Sequence, residues 1–421
     1  MFLRNTLFFL LIAGIGISCQ SSSDGGNASN NPDITRFDYG YQFPAGQLET
    51  NIREGVRYLE KHVQPNGRFA YLTNLQPEAD IDSADYNILR HGGTLYAMGQ
   101  AAEMYPGTVE KEVMVRAADF IRRNCLAPLP GAERPNLGVW TYPEITNSEW
   151  GDELKLGGTG LGLLGFLAVE RQVPGYMSAD TLALLAESML AMQRPSGQFE
   201  SIYEVRNGGF SDHISPYYPG EAILSLLQLY QMDSNERWLT GALKGLMFIV
   251  NARKEVDVFD LPADHWILLA TNELLTGVPA EKYAEHQTAI VDHGRRIAQK
   301  MVNTSKQNPS DSLYFGAFSS SGSTTSLGTR LEGLISFGVH LDEEVDAALI
   351  ADLKQAVHFG LGYVQEARVT QGPLQGGVTR LPEHLRKLKP NPVNSQIQID
   401  NVQHVMSGWI WAERREEWLW N

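Results

Sequence analysis

Cysteine is nearly absent from this chain. Only Cys19 and Cys125 occur in 421 residues, so at most one disulfide can form and the body must be held by packing rather than by cross-links. Long apolar runs are missing too. Beyond residue 20 nothing approaches the ~18 unbroken apolar positions that a membrane-spanning helix needs. Basic residues are in deficit, 34 Lys and Arg against 49 Asp and Glu, for a formal net charge of −15. That balance disfavours nucleic acid or an anionic membrane surface as a partner, and weakly disfavours a polyanionic substrate. No phosphate-cradling loop or nucleophile elbow is present. The run GGTGLG at 157–162 follows no expected strand and reads as close helix packing.

What the chain does have begins at its N-terminus. In MFLRNTLFFLLIAGIGISCQ, a positive charge at Arg4 precedes an apolar run from Leu7 to Ile17, and small residues lead up to Cys19. This is the layout of a secretory signal. On Ile17, Ser18 and Cys19 it resembles a bacterial lipoprotein signal, while Gly16 departs from the Leu usual at that position. The resemblance implies a signal peptide over 1–18 and a lipid on Cys19. The protein would then be held at the bacterial cell envelope, on the periplasmic or surface side of a membrane. The following SSSDGGNASNNPD is too polar to bury surface, so 19–40 is expected to be a flexible tether. Cys125 then stands alone, which excludes an intramolecular disulfide.

Residues 41–421 are expected to form one domain built by repetition. The segments HVQPNGRFAY (62–71) and MQRPSGQFES (192–201) repeat one pattern, in which a helical run is broken by Pro and Gly and followed by an aromatic. Six amphipathic helices are expected at 46–63, 110–124, 178–193, 236–252, 286–303 and 345–367. Between them lie six richer in Gly and Ala and apolar all round, at 85–105, 152–170, 215–230, 262–275, 329–341 and 400–413. A helix apolar on every side is normally buried, so the second set forms an inner ring. The fold class is all-α, an (α/α)6 toroid of six hairpins with roughly 60 residues per unit. The last helix, carrying Trp409, Trp411 and Trp418, is expected to close the ring against the first. In this architecture and its Gly-aromatic turns the chain resembles the α/α-toroid superfamily. Six-hairpin glycosidases, helical pectate lyases, uronyl epimerases and terpene cyclases share that scaffold.

Function is expected where the inner helices begin, because their unpaired N–H groups and dipoles converge there. Those ends carry Asp85, Arg90 and His91; Tyr217, Tyr218 and Glu221; Asp264, His265 and Trp266; Arg330 and Glu332; Asp400 and His404. Singly, most have plain structural readings: an N-cap for Asp85 or Asp400, a satisfied core histidine for His91 or His404, an ion pair for Arg330 or Glu332. Together they suggest a cleft. Glycoside hydrolysis needs one protonated and one ionised carboxyl, which two of Glu221, Asp264 and Glu332 can supply, with His91 beside them. Arg90, Tyr217, Tyr218, His265, Trp266, Arg330 and His404 would then hold a sugar. A uronate lyase or epimerase would use Tyr218, His91 or His265 on the C5 proton and Arg90 or Arg330 on the carboxylate. A non-catalytic glycan- or peptide-binding role remains a third reading. A zinc cyclase resembling this scaffold would need a Cys ligand, and Cys125 lies near the end of an outer helix. No cofactor or metal is expected, with zinc held by histidines and carboxylates left open. The expected partner is a carbohydrate or cell-envelope polymer.

Overall fold

The structure, a computed structural model, describes residues 43–75, 86–146, 149 and 151–420. Cys19, the signal, the tether and Asp85 lie outside the described residues.

Twelve principal helices alternate between two layers. The outer layer comprises α1 (Gln47–Lys61), α3 (Lys111–Asn124), α5 (Ala179–Ala191), α7 (Glu236–Ala252), α9 (Gln287–Ser305) and α11 (Ala347–Gln365). The inner layer comprises α2 (Ile88–Met104), α4 (Leu156–Gln172), α6 (Tyr218–Asp233), α8 (His265–Gly277), α10 (Thr324–Gly338) and α12 (Ile399–Arg414). Each inner helix packs against the next, and α12 returns to α2. The ring is therefore a closed (α/α)6 toroid. On α4 every residue from Leu156 to Val169 is buried, whereas α1 buries one stripe through Leu48, Ile52, Val56 and Leu59. This is the division between all-round and one-sided apolar helices that the sequence carries. No helix among the described residues is long and apolar enough to cross a membrane.

Two departures from the sequence reading matter for the site. The helix expected at 152 starts at Leu156, because Glu153–Lys155 forms a strand; the helix expected at 329 starts at Thr324. Short strands in fact frame the ring's mouth. β1 (Leu72–Asn74) pairs antiparallel with β7 (Gln396–Gln398), which runs directly into α12. β2 (Leu126–Ala127), β3 (Gly138–Thr141), β4 (Glu153–Lys155), β5 (Ile202–Glu204) and β6 (Gly209–Phe210) form one antiparallel sheet in chain order. A strand thus does precede GGTGLG, but the glycines serve packing: a Cβ on Gly160 would sit 3.0 Å from Ala222 N on α6. Ring closure also differs in detail. Trp409 is fully buried on α12 and Trp420 meets Phe43 ahead of α1, while Trp418 packs on Gly338 of α10.

The repeated turns have one job. Gly67 N–H donates to Gln64 O at 2.9 Å and Gly197 N–H to Arg194 O at 2.9 Å, and the bridges Val63–Phe69 and Gln193–Phe199 close both turns alike. Gly67, Gly197, Gly316 and Gly376 have φ of +90°, +95°, +87° and +87°, and a Cβ on each would collide with a backbone carbonyl of another outer helix. Those carbonyls belong to Arg116 on α3, Lys244 on α7, Phe359 on α11 and Glu54 on α1. The left-handed backbone and the steric gap both demand Gly. Gly376 joins the last hairpin to the first. Replacing it with Ala is expected to destabilise the fold by ~2–4 kcal/mol through strain and overpacking. Gly372, at φ +83° with nothing within 4 Å, pays only the backbone term of about 1 kcal/mol. Equal losses for G376A and G372A in urea unfolding would contradict the packing role.

Candidate functional site

The inner helices bring three polar clusters to the ring's mouth. The first is built on α10. Glycines Gly328 and Gly333 let two neighbours approach closely: a Cβ on Gly328 would meet His404 backbone at 2.7 Å, and one on Gly333 would meet His265 Cβ at 2.9 Å. Glu332 therefore lies between two histidines from flanking helices. Its Oε1 is 2.8 Å from His404 Nδ1 and 3.3 Å from His265 Nε2. The wider of these is not a hydrogen bond, and neither nitrogen of His265 has a hydrogen-bond partner among the described residues. Burial pushes the His265 pKa well below its usual value, with nearby His404 and Arg330 pushing the same way, so the ring is neutral. Trp266, itself buried, walls the pair, with ring centroids 4.7 Å from His265 and 6.2 Å from His404. Tyr217, at the N-cap of α6, has its ring centroid 6.3 Å from that of His265. Its hydroxyl lies close to half-buried Arg330, whose Nη1 donates to Thr329 Oγ1 at 2.7 Å.

The second cluster lies at the start of α6. Glu221 is buried, and its Oε2 has no hydrogen-bond partner among the described residues. Burial, reinforced by the charge of Asp264, pushes its pKa up to about 8, so at neutral pH it is a carboxylic acid able to donate. Gly157, the second residue of α4, makes the space for it, since a Cβ there would overlap Glu221 Oε2. Tyr218 stands alongside, its pKa raised by burial and then by Glu221 and Glu153.

Asp264 is 0% exposed and holds α8 in place. Its Oδ1 accepts from Ile267 N–H at 3.3 Å as an N-cap, and its Oδ2 accepts from Arg253 Nη1 at 2.9 Å. Burial raises its pKa to about 6 against the opposing pull of Arg253. The expectation that it is catalytic is corrected to an anchoring role, because both oxygens are taken. In the third cluster Arg90 Nε is 3.0 Å from Asp400 Oδ2 and Arg90 also bonds to the Tyr71 hydroxyl. Asp400 is thus an ion-pair partner, and the N-cap position of α12 falls to Gln398.

His91 is the clearest correction. It is fully buried, with Nδ1 on the Tyr86 hydroxyl at 2.7 Å and Nε2 on Ala117 O at 2.9 Å, stacked on Phe120. Burial takes its pKa down to about 3. Successive helical residues point about 100° apart, so where Arg90 faces the mouth His91 faces the outer layer and ties α2 to α3. The structure therefore gathers Tyr217, His265, Trp266, Arg330, Glu332 and His404, with Tyr218 and Glu221 beside Asp264. Arg90 stands apart in its pair with Asp400. Sequence reasoning missed Arg253, Tyr71 and the space left by Gly157. Arg253 carried one usable signal, its position at the end of the outer helix preceding Asp264.

His265, Glu332 and His404 also form a group that could hold a metal ion, each offering one ligand atom with all three within 4.8 Å of one another. The chemistry fits a divalent ion bound by two imidazoles and a carboxylate.

No family model and no curated protein matches the chain by sequence. Solved structures do match. A sugar epimerase from a ruminal bacterium superposes with TM-score 0.60 at 13% identity, over 85% of this chain and 97% of that one. A D-mannose isomerase gives TM-score 0.62 at 9% identity, over 89% and 100%. A GH76 α-mannanase from Bacteroides thetaiotaomicron gives 0.55 at 11%, over 90% and 99%. At such identities these likenesses establish the shared α/α-toroid fold.

Proposed function

We propose that this protein is a carbohydrate-active enzyme that transfers a proton at a sugar carbon, in the class of epimerases, isomerases and lyases. The observation that carries this reading is the His265–Glu332–His404 arrangement. With Nδ1–H donating to Glu332, His404 keeps its Nε2 lone pair for use as a base. His265, neutral and without a hydrogen-bond partner among the described residues, is a second imidazole whose ring centroid lies 5.5 Å from that of His404. One ring would remove a proton from carbon next to a carbonyl, the electrons moving onto oxygen. The other would deliver a proton to oxygen or to the opposite face of the carbon. Glu221, protonated at neutral pH, would donate to a sugar oxygen and withdraw charge from it. The names of the epimerase and isomerase that share the scaffold agree with this chemistry.

A hydrolytic reading keeps one supporting observation, since a carboxyl protonated at neutral pH is the general acid that glycoside cleavage needs. The second carboxyl would have to be Glu332, released from His404. One experiment separates the readings: incubate the full chain with neutral and acidic mono- and oligosaccharides in D2O containing EDTA, and follow the products by NMR. Deuterium entering at a sugar C–H, or new chain ends carrying a carbon–carbon double bond, is expected; new reducing ends with neither deuterium nor a double bond would overturn proton transfer in favour of hydrolysis. Lipid attachment at Cys19 would place this chemistry at the cell envelope. Membrane fractionation checks it, with the Cys19→Ser chain expected in the soluble fraction.

A further inference from the structure

We propose that the sugar handled at this site is an acid, and that Arg330 is its anion receptor. The proposal rests on the proton-transfer reading for its location and extends it to the substrate's charge class.

The starting observation is an uncompensated cation. Arg90, the other arginine at the mouth, has Asp400 at 3.0 Å, and Arg253 behind Asp264 has its carboxylate at 2.9 Å. Arg330 makes no ion pair among the described residues; it donates to the Thr329 hydroxyl at 2.7 Å and has the Tyr217 hydroxyl nearby. A half-buried guanidinium with only neutral partners carries a desolvation penalty that no protein charge offsets. The nearest acid on its own helix, Glu332, is already turned to His404 and His265. Arg330, two residues before Glu332 on the same helix, places a permanent positive charge near His265. Such a charge suits a ligand that brings its own negative group.

Its geometry narrows the class. A guanidinium fork recognises planar carboxylate or phosphate oxygens with paired N–H donors, and Tyr217 supplies an adjacent hydroxyl. The formal charge of −15 lowers the expected affinity for a long polyanion, so a single acidic sugar unit at the mouth is the better fit. For a uronate the consequence is chemical as well as spatial. The proton on the carbon bearing the carboxylate becomes easier to remove when a cation neutralises that carboxylate, and the bases stand beside the same cation. The residue therefore discriminates charge and prepares the C–H bond in one contact.

The test measures binding by calorimetry with four probes: D-glucuronate, D-glucuronamide as its uncharged counterpart, D-glucose 6-phosphate and digalacturonate. An acid is expected to bind at least about tenfold tighter than the neutral amide, as charged hydrogen bonds to Arg imply. Preference for glucuronate or digalacturonate identifies the carboxylate form, and preference for glucose 6-phosphate the phosphate form. Arg330→Gln should bring the ratio of acid to amide to about one, and Arg330→Lys should restore part of it. Because the lone charge burdens the free protein, Arg330→Gln is also expected to keep or raise its melting temperature, which confirms folding independently. Equal binding of acid and amide, no binding of any acid, or a preference that survives Arg330→Gln overturns the proposal. Deuterium exchange on neutral sugars without acid preference would sink this inference and leave proton transfer standing. An Arg330-dependent acid preference with neither exchange nor elimination on any sugar would do the reverse.

Discussion

Replacing His404 by Gln lowers the rate of deuterium exchange into the sugar by ~10³-fold while sugar affinity changes little, because general base catalysis contributes on that order. Gln fills a similar volume on α12 and can still hydrogen-bond Glu332, but it has no lone pair basic enough to take a proton from carbon. His265→Gln should fall in the same range. Glu332 acts through the rings, so Glu332→Gln is expected to lose ~10²-fold, in keeping with orienting groups elsewhere. A merely structural Glu332 would leave the pH–rate profile unmoved. As a positioning residue it should shift the low-pH limb, where the base takes up a proton, since Glu332 selects which His404 nitrogen carries the proton. The double variant His404→Gln/Glu332→Gln should be no slower than His404→Gln alone, because the two act as one unit. Wild-type exchange in a folded His404→Gln protein would falsify the acid–base assignment.

The ring itself was legible because burial leaves a period in the sequence. All-round apolar α4 and one-sided α1 differ in composition as plainly as in position, and the Pro-Gly-aromatic turns repeat because four outer helices need the same glycine. The mouth was legible only as a set of candidates. A helix start shifted from 329 to Thr324 moves Glu332 deeper and turns it toward α8 and α12, and sequence spacing within α10 says nothing of those neighbours. Arg90 and His91 show the limit most clearly. Adjacent in sequence, they point about 100° apart, and only the packing of α2 against α3 decides which one reaches the mouth. Asp264 was hidden for a related reason: its partner Arg253 comes from another helix, so its conversion into an anchor depends on tertiary structure. The short strands escaped notice because two to four residues are too few to show a period.

Glu221→Gln should make the protein more stable at pH 8 by about 4 kcal/mol and leave it nearly unchanged below pH 4. The carboxyl is pushed from 4.5 up to about 8 in the folded state. Below the lower value both states hold the proton, and the group's contribution to stability is fully present. As pH rises between the two values the unfolded chain gives up its proton while the native protein keeps it, so stability falls by ~1.4 kcal/mol per pH unit until the folded group also ionises. Asp264, raised from 3.8 to about 6, has the same sign but finishes its change earlier. Buried His91, lowered to about 3 from 6.5, works in the opposite direction and mainly below its unfolded value. Across pH 7 to 8 Glu221 therefore supplies the largest change, with the buried histidines opposing it weakly. Urea unfolding across that interval should show the wild type losing stability and Glu221→Gln staying nearly flat. A flat wild type would mean that Glu221 is already ionised, leaving the site without the neutral carboxyl donor that both the proton-transfer and the hydrolytic readings use.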